Sequence, residues 1–286
     1  MVSMIIYPSD FFNVKKVDDD FKKEYDAALL TGTFTAALFN YDQWLSGEKL
    51  KVYGAPDETV MVLYRGWMFK PEQYRIFYNE LQQKNIHLIT TPEEYEKMHL
   101  FPNVYEDLQE DTAQMIIFPE GTDVDVEVVK SRMKRFMVKD YVKSVKGTEF
   151  PRFFDENVTQ EAFDQWMKIF YQYRGELYTG GICIKEFLDL KYYGNYTNEF
   201  RVFYMNHEVG TVCRNSHQGD DTEEPPGELI EKYKRLGSPF YTIDLAELSD
   251  GTWRIVEAGD GGVSGLSDGQ SAETFYRRLH QAFKNS

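Results

Sequence analysis

The stretch from Tyr241 to Gly259 constrains the fold of this chain more than any other. Two alternating runs, Tyr-Thr-Ile-Asp-Leu-Ala-Glu and Trp-Arg-Ile-Val-Glu-Ala-Gly, flank Leu-Ser-Asp-Gly-Thr. Asp250-Gly251 in that setting is the strongest short-range signal for a hairpin with a two-residue type I′ turn. Such a turn sets the register: Glu247 opposes Arg254, Leu245 opposes Val256, Asp244 opposes Glu257 and Ile243 opposes Ala258. Two carboxylates directly across a strand pair repel, by about 0.2–1 kcal/mol. A divalent cation reverses that sign, because hard carboxylate oxygens are what Mg2+ prefers. Asp260 adds a third acid, and the glycines of Gly-Asp-Gly-Gly-Val-Ser-Gly (259–265) let backbone approach a ligand. Two readings fit: a solvated acidic edge, or a metal site of Asp244, Glu257 and Asp260. A one-residue slip would place the first two acids on opposite faces.

Three other segments carry charge in unusual places. Glu199 to Arg214 reads as a second hairpin turning at Asn206-His207, which sets Glu199 opposite Arg214 with Arg201 on the same face. That face is either a surface bridge or a bidentate grip on phosphate or carboxylate. In Phe136–Val142 a period of two puts Met137, Lys139, Tyr141 and Lys143 on one face. A lysine buried in such a strand needs an anionic partner. Lys143, Ser144, Lys146 and Gly147 form a short basic loop that is not a Walker A motif. In Gly181–Leu190, Ile182 and Ile184 alternate with Cys183 and Lys185, and Glu186, Phe187, Leu188 and Asp189 close the strand. Its backbone could pair with an adenine edge beside Asp189, or simply end a strand.

Composition narrows the classes. Thirty-two basic against 47 acidic residues leave a formal charge of −15. A nucleic-acid partner held on a broad basic face is therefore not expected, and an anionic ligand requires locally concentrated cations. No apolar run reaches the length of a membrane span, and the start lacks a basic leader. Cys183 and Cys213 read as small buried hydrophobes rather than a disulfide or metal pair. A cytosolic (cytoplasmic) location is expected.

Strand-like and helix-like segments alternate along the chain, which points to an α/β or α+β architecture. Met4–Tyr7, Thr59–Tyr64, Ile86–Thr90 and Met115–Phe118 read as strands. A helix from Pro71 carries Tyr74, Phe77, Tyr78 and Leu81 on one face. An N-terminal α/β domain over residues 1–122 is expected, with Pro119–Glu127 as the boundary and a second domain over 123–286. Helices over Gln160–Tyr173 and from Ser271 follow, and the acidic loop 217–228 reads as a mobile excursion. Arg65 ends a strand where open α/β sheets bind ligands. It is either a clamp for a substrate carboxylate beside Trp67 or a stacking residue at a domain seam. The five histidines, scattered without metal spacing, receive no role.

The order of these pieces resembles the ATP-grasp superfamily, most closely its Arg-to-Lys clade, common in phages and bacteria. The resemblance covers about residues 126–270, with the N-terminal domain more loosely matching the pre-ATP-grasp region. It implies an α+β fold of two subdomains, a lid over about 130–190 and a metal-binding part over about 191–286. Lys139 matches the strand lysine that meets ATP phosphates, and Lys143 to Gly147, with Lys146, the lid loop. Lys185, Glu186, Phe187 and Leu188 match the adenine linker, with Asp189 near the ribose. Glu199 and Arg201 match the E-x-R strand, and Arg214 the phosphate-facing arginine. Asp244, Glu257 and Asp260 match the magnesium ligands. Two departures are Lys185, where relatives carry Glu or Gln, and Asp260, where they carry Asn.

The implied activity is an ATP- and Mg2+-dependent ligase joining a carboxylate to an amine or thiol through an acyl phosphate. The carboxylate and amine are unspecified: amino acid, peptide or protein terminus. The rivals are a kinase on the same fold and a non-catalytic nucleotide-binding module.

Overall fold

The computed structural model describes residues 2–56, 58–219 and 222–284. The first sheet joins β1 (Met4–Pro8), β2 (Thr35–Phe39), β3 (Val52–Tyr53), β4 (Val60–Tyr64) and β5 (Ile86–Leu88) in the order β3-β2-β1-β4-β5. Its four longer neighbours run parallel, with β3 antiparallel at one edge. Helices α1 (Lys22–Leu30), α2 (Tyr41–Leu45) and α3 (Pro71–Gln82) connect them. Pro71 starts α3, and the predicted face buries Tyr74, Phe77 and Leu81. α4 (Pro92–His99) and α5 (Phe101–Leu108) follow; Thr91 and Glu94 cap α4 reciprocally.

The second sheet holds β6 (Met115–Phe118), β7 (Arg135–Asp140), β8 (Phe154–Asp155) and β9 (Ile182–Glu186), ordered β6-β9-β7-β8. It is backed by α6 (Val126–Lys130) and α7 (Gln160–Arg174), the latter capped by Thr159 and burying Phe163, Met167 and Phe170. Met115–Phe118 pairs with β9, so by sheet membership the expected boundary at residue 122 falls one strand late. The pattern of Met115-Ile-Ile-Phe118 is apolar throughout and says nothing about which sheet accepts it.

A small hairpin of β10 (Tyr192–Tyr193) and β11 (Tyr196–Thr197) leads to the third sheet. There β12 (Glu199–Met205), β13 (Glu208–Arg214), β14 (Phe240–Glu247) and β15 (Trp253–Asp260) lie in the order β13-β12-β14-β15. α8 (Gly227–Lys232) precedes β14, and α9 (Ala272–Phe283) closes the described chain behind its Ser271 cap. One face of this sheet buries Ile243, Leu245 and Ile255 against Phe101, Val104 and Leu108 of α5. Phe203 and Phe240 on the other face pack with Phe275 and Leu279 of α9, which also meets Tyr7 and Leu63 of the first sheet. The core is therefore continuous across the seam between the sheets.

The acidic loop is only partly an excursion. Asp220 and Asp221 lie outside the described residues, but Pro225 is buried and the Glu223 carbonyl accepts from Asn198 at 2.9 Å. No described helix is long and apolar enough to cross a membrane. Both cysteines are unpaired, Cys183 buried and Cys213 half-buried.

Candidate active site

The β14–β15 hairpin reaches the expected Asp244–Glu257 pairing by a different route. Gly251 donates to the Leu248 carbonyl at 2.9 Å, Leu248 donates to that of Thr252 at 2.7 Å, and in the turn only Gly251 has a positive φ, +84°. This is a three-residue loop rather than a type I′ turn. Next to it the register is one residue out: Glu247 faces Trp253 instead of Arg254, and Leu245 faces Ile255 instead of Val256. A bulge between Asp244 and Leu245 takes up the extra residue, Val256, so Asp244 still opposes Glu257. The bulge has a second consequence. It turns the Val256 carbonyl toward the second sheet, where Lys185 Nζ donates to it at 2.8 Å.

Lys139 and Lys185 share the predicted lysine face of the second sheet, through the Lys139–Cys183 and Met137–Lys185 pairs. Both are buried, and their ammonium groups stand 4.9 and 4.2 Å from the centre of the Phe101 ring. Lys139 Nζ reaches Glu257 Oε1 at 3.5 Å, and Lys143 approaches the same oxygen at 3.9 Å. Burial alone would raise the Glu257 carboxyl. The field of Lys139, Lys143, Lys146 and Lys185 overrides it and lowers the group to about 2. Burial, helped by Lys139, brings Lys185 down to about 7.

The β12–β13 hairpin turns at Asn206-His207 as expected, both with positive φ, +51° and +65°. A shift past Tyr204 then places Arg214 opposite Phe200 instead of Glu199. Arg214 therefore lies on the sheet face away from Arg201, stacked 4.9 Å over Phe200 and bonded to Thr222. Glu199 accepts instead from the Thr197 hydroxyl at 2.7 Å. The extra residue at the glycine-bearing shift (Gly210) separates these two from the predicted pair. Arg201 faces Asp244 across β12–β14 and binds it through two hydrogen bonds. Burial would lower the guanidinium, but Asp244 holds it raised.

Asp260 lies at the end of β15, with Oδ1 accepting from Gly262 N at 2.8 Å and Oδ2 buried without a partner among the described residues. Burial raises its carboxyl to about 7. A cleft of about 90 Å³ brings Asp260 together with Asp244, Glu257, Arg201 and Lys143.

Arg65 does not open into that cleft, which corrects the carboxylate-clamp expectation. It is 1% exposed and bound by Glu24 at 2.9 and 2.7 Å. Its other nitrogen donates to the carbonyls of Gly261 and Ser264. Phe203 and Phe275 cover the guanidinium, so the seam reading holds with partners other than Trp67. Trp67 stays half-exposed and donates its indole N–H to Asp18 at 3.1 Å.

A family model for the ATP-grasp domain, family 3 of the Arg-to-Lys clade, matches residues 101–279, well over half of the chain. The chain belongs to the ATP-grasp family. Solved ATP-grasp structures share its fold across nearly the whole length. The ligase PsnB with a phosphomimetic minimal precursor, Mg and ADP has a TM-score of 0.62 at 11% identity, covering 99% of each chain. D-cycloserine synthetase DcsG gives 0.58 at 13%, covering 98% of this chain and 99% of that one. D-alanine–D-alanine ligase from Bacillus anthracis with ATP gives 0.58 at 10%, covering 99% and 97%. No curated protein sequence matches the chain.

In this ATP-grasp chain the linker is packed on both sides. Glu186 N donates to Gln114 O at 2.8 Å and Phe187 N to Arg135 O at 3.0 Å. Phe187 packs on Phe153, and the guanidinium of Arg135 lies over both rings and also pairs with the exposed Asp189. Leu188 is half-buried. Lys143 and Lys146, expected in a lid loop, are exposed. Sequence reasoning missed two residues. His99, at the end of α4, lines the cleft, stacked on Tyr95, and burial with the Lys143 charge lowers it to about 3. Asp140, fully buried, accepts from the Val142 and Lys143 amides at 2.7 and 2.6 Å, and from Arg174 Nε at 2.7 Å. A lone histidine carries no spacing signal. The Asp140-Tyr-Val-Lys143 spacing, an acid followed by two turn amides, could have pointed to Asp140.

Proposed function

We propose that this protein is an ATP- and Mg2+-dependent ligase that joins a carboxylate to an amine or thiol through an acyl phosphate. One observation carries the reading: Lys139 and Lys143 from the second sheet meet Glu257 from the third, beside the paired Arg201 and Asp244. Lysines and an arginine concentrated against three acids in one cleft suit a nucleotide triphosphate carried by a cation. The same cleft reconciles an anionic ligand with a net charge of −15.

The donor set fits magnesium in chemistry. Asp244, Glu257 and Asp260 offer hard oxygens, and Asp260 Oδ2 is a buried acceptor orphaned among the described residues. Among the described residues no three acidic or imidazole groups converge into a finished cage. Arg201 and Lys139 supply the positive charge these acids face. Bound there, Mg2+ would neutralise phosphate oxygens and help align the transferred group. Lys139, Lys143 and Lys146 would hold the phosphates, and Arg201 would stabilise charge on the transferred phosphoryl group. The backbone of Lys185 to Leu188, near Asp189, would face the nucleotide base and ribose. Glu199 remains a residue of the E-x-R strand. Arg214, turned to the opposite face, would join only if β13 moved. PsnB has been solved with a precursor, Mg and ADP, and the D-alanine ligase with ATP, which supports nucleotide and carboxylate chemistry here.

The test is ADP release with a panel of amino acids, peptides and amines. Magnesium-dependent ADP formation should appear with a suitable pair and vanish in Asp244→Ala and Glu257→Ala. Hydroxylamine trapping should yield a hydroxamate, which an acyl phosphate gives and a phosphorylated hydroxyl does not. ADP without hydroxamate would move the reading to a kinase.

A further inference from the structure

The segment after β4 leaves two large apolar side chains exposed while side-chain hydroxyls hold its backbone. The Tyr64 hydroxyl donates to Trp67 O at 2.7 Å, and that of Tyr41 to Met68 O. The Tyr95 hydroxyl bridges both backbone groups of Phe69, at 2.9 Å from its N and 2.8 Å from its O. Phe69 is buried, whereas Trp67 and Met68 remain 39% and 40% exposed. The indole is fixed edge-on to Phe21 at 5.0 Å, with its N–H on Asp18. The strap's backbone is held at three consecutive residues, which keeps Trp67 and Met68 from folding into the core with Phe69. Rigid presentation of apolar surface is how a site lowers the ordering cost of binding.

The strap also borders the cleft. Met68 lines the same cavity as Asp244, Glu257 and Asp260. Asn40 Nδ2 donates to the Phe11 carbonyl at 3.0 Å, and the adjacent Tyr41 donates to that of Met68. These loops follow β1, β2 and β4, at the carboxyl ends of parallel strands.

We propose that Trp67 and Met68 form a platform for the substrate's side chain, and that the ligated acceptor carries a large aliphatic or aromatic group beside its reacting carboxylate or amine. This rests on the ligase reading and names its substrate class. Besides Met68 the cleft's aliphatic lining is confined to the smaller Val142, Ala258 and Val263, so the platform is the apolar surface large enough to separate a bulky apolar acceptor from a small or acidic one.

The test uses L-phenylalanine and L-leucine against glycine and L-aspartate, each titrated into the full chain with and without Mg·AMPPNP. Binding is followed by calorimetry and by tryptophan fluorescence. The apolar amino acids should bind at least fivefold more tightly than glycine. Trp67→Ala and Met68→Ala should each erase most of that preference while AMPPNP affinity stays within twofold. Equal affinities, no binding of phenylalanine or leucine, or a preference intact in both variants would overturn the platform. Failure of AMPPNP to bind would instead overturn the ligase reading, and the nucleotide-free titrations would still judge the platform.

Discussion

Arg201 stands directly opposite Asp244 on the neighbouring strand and holds both carboxylate oxygens, Nε to Oδ1 at 2.8 Å and Nη2 to Oδ2 at 2.7 Å. The proposed metal ligand is thus already neutralised by a cation of the chain itself. An ion that takes Asp244 competes with Arg201 for its carboxylate charge, and a guanidinium so freed is available to phosphate. Arg201→Ala should therefore tighten Mg2+ binding in the absence of nucleotide while lowering kcat by about 100-fold or more, as loss of a transition-state donor does. Asp244→Ala should abolish both. Magnesium calorimetry beside steady-state kinetics checks this, and unchanged Mg2+ affinity in Arg201→Ala would show that the pair does not compete with the metal.

Arg65 governs the next element along the chain. Its side chain joins Glu24 to the Gly261 and Ser264 carbonyls, and Gly66 N donates to Gly262 O at 3.0 Å, so β4 clasps the loop that follows Asp260. Tyr276 donates to Glu24 at 2.6 Å. Arg65→Ala would leave that carboxylate buried and uncompensated, a cost of about 3–5 kcal/mol. Arg65→Met with Glu24→Met should recover much of it. Urea denaturation of the two variants, referenced to wild type, measures the difference.

The cleft was legible in the sequence because its chemistry lies in residue types at strand spacing. Lys139 and Lys185 share a face as period two dictates, whereas Asp244 and Glu257 face each other because the Val256 bulge cancels the shift made at the turn. The full registers were not legible: β14–β15 is one residue out beside its turn, and β12–β13 is one residue out beyond Tyr204. Bulges at Val256 and Gly210 depend on packing against the second sheet and on loop conformation, which no alternation pattern encodes. The same limit explains Arg214, one residue away from its expected partner. Arg65 failed for another reason: a strand-end arginine reads identically whether its anion is a substrate or, as here, Glu24 from a helix 41 residues earlier.

Lys185 makes the free protein's stability depend on pH. Burial, then the nearby Lys139, lowers it from 10.5 to about 7, against the opposing pull of Glu257. Between these values the unfolded chain holds a proton that the folded chain has shed, so this residue's contribution rises with pH across that window. Its cost is full below about pH 7 and gone above about 10.5. Lys185→Met, which keeps the stem over Phe101, should raise the melting temperature at pH 7 relative to wild type, with the gap narrowing by pH 10. A gap constant in pH would mean that the lysine stays charged in the folded state.

Asp140 ties the basic loop of Lys143 and Lys146 to the body of the second sheet. One carboxylate oxygen accepts from the Val142 and Lys143 amides, and the other from Arg174 Nε and, at 3.3 Å, Thr179 N. Asp140→Asn retains an acceptor for the two loop amides if the side-chain oxygen faces them, but its NH2 then points at Arg174 and Thr179, which are donors. The loop should persist while its anchor to α7 weakens. Because Lys143 reaches Glu257 only through that loop, the defect should appear as a raised KM for ATP, by about 5–20-fold, with kcat changed less than threefold. Asp140→Ala, which removes both oxygens, should raise KM further and lower the melting temperature as buried donors lose their partner. Nucleotide-dependent kinetics of the two variants decides it: equal losses in kcat with KM unchanged would place Asp140 outside the positioning of that loop.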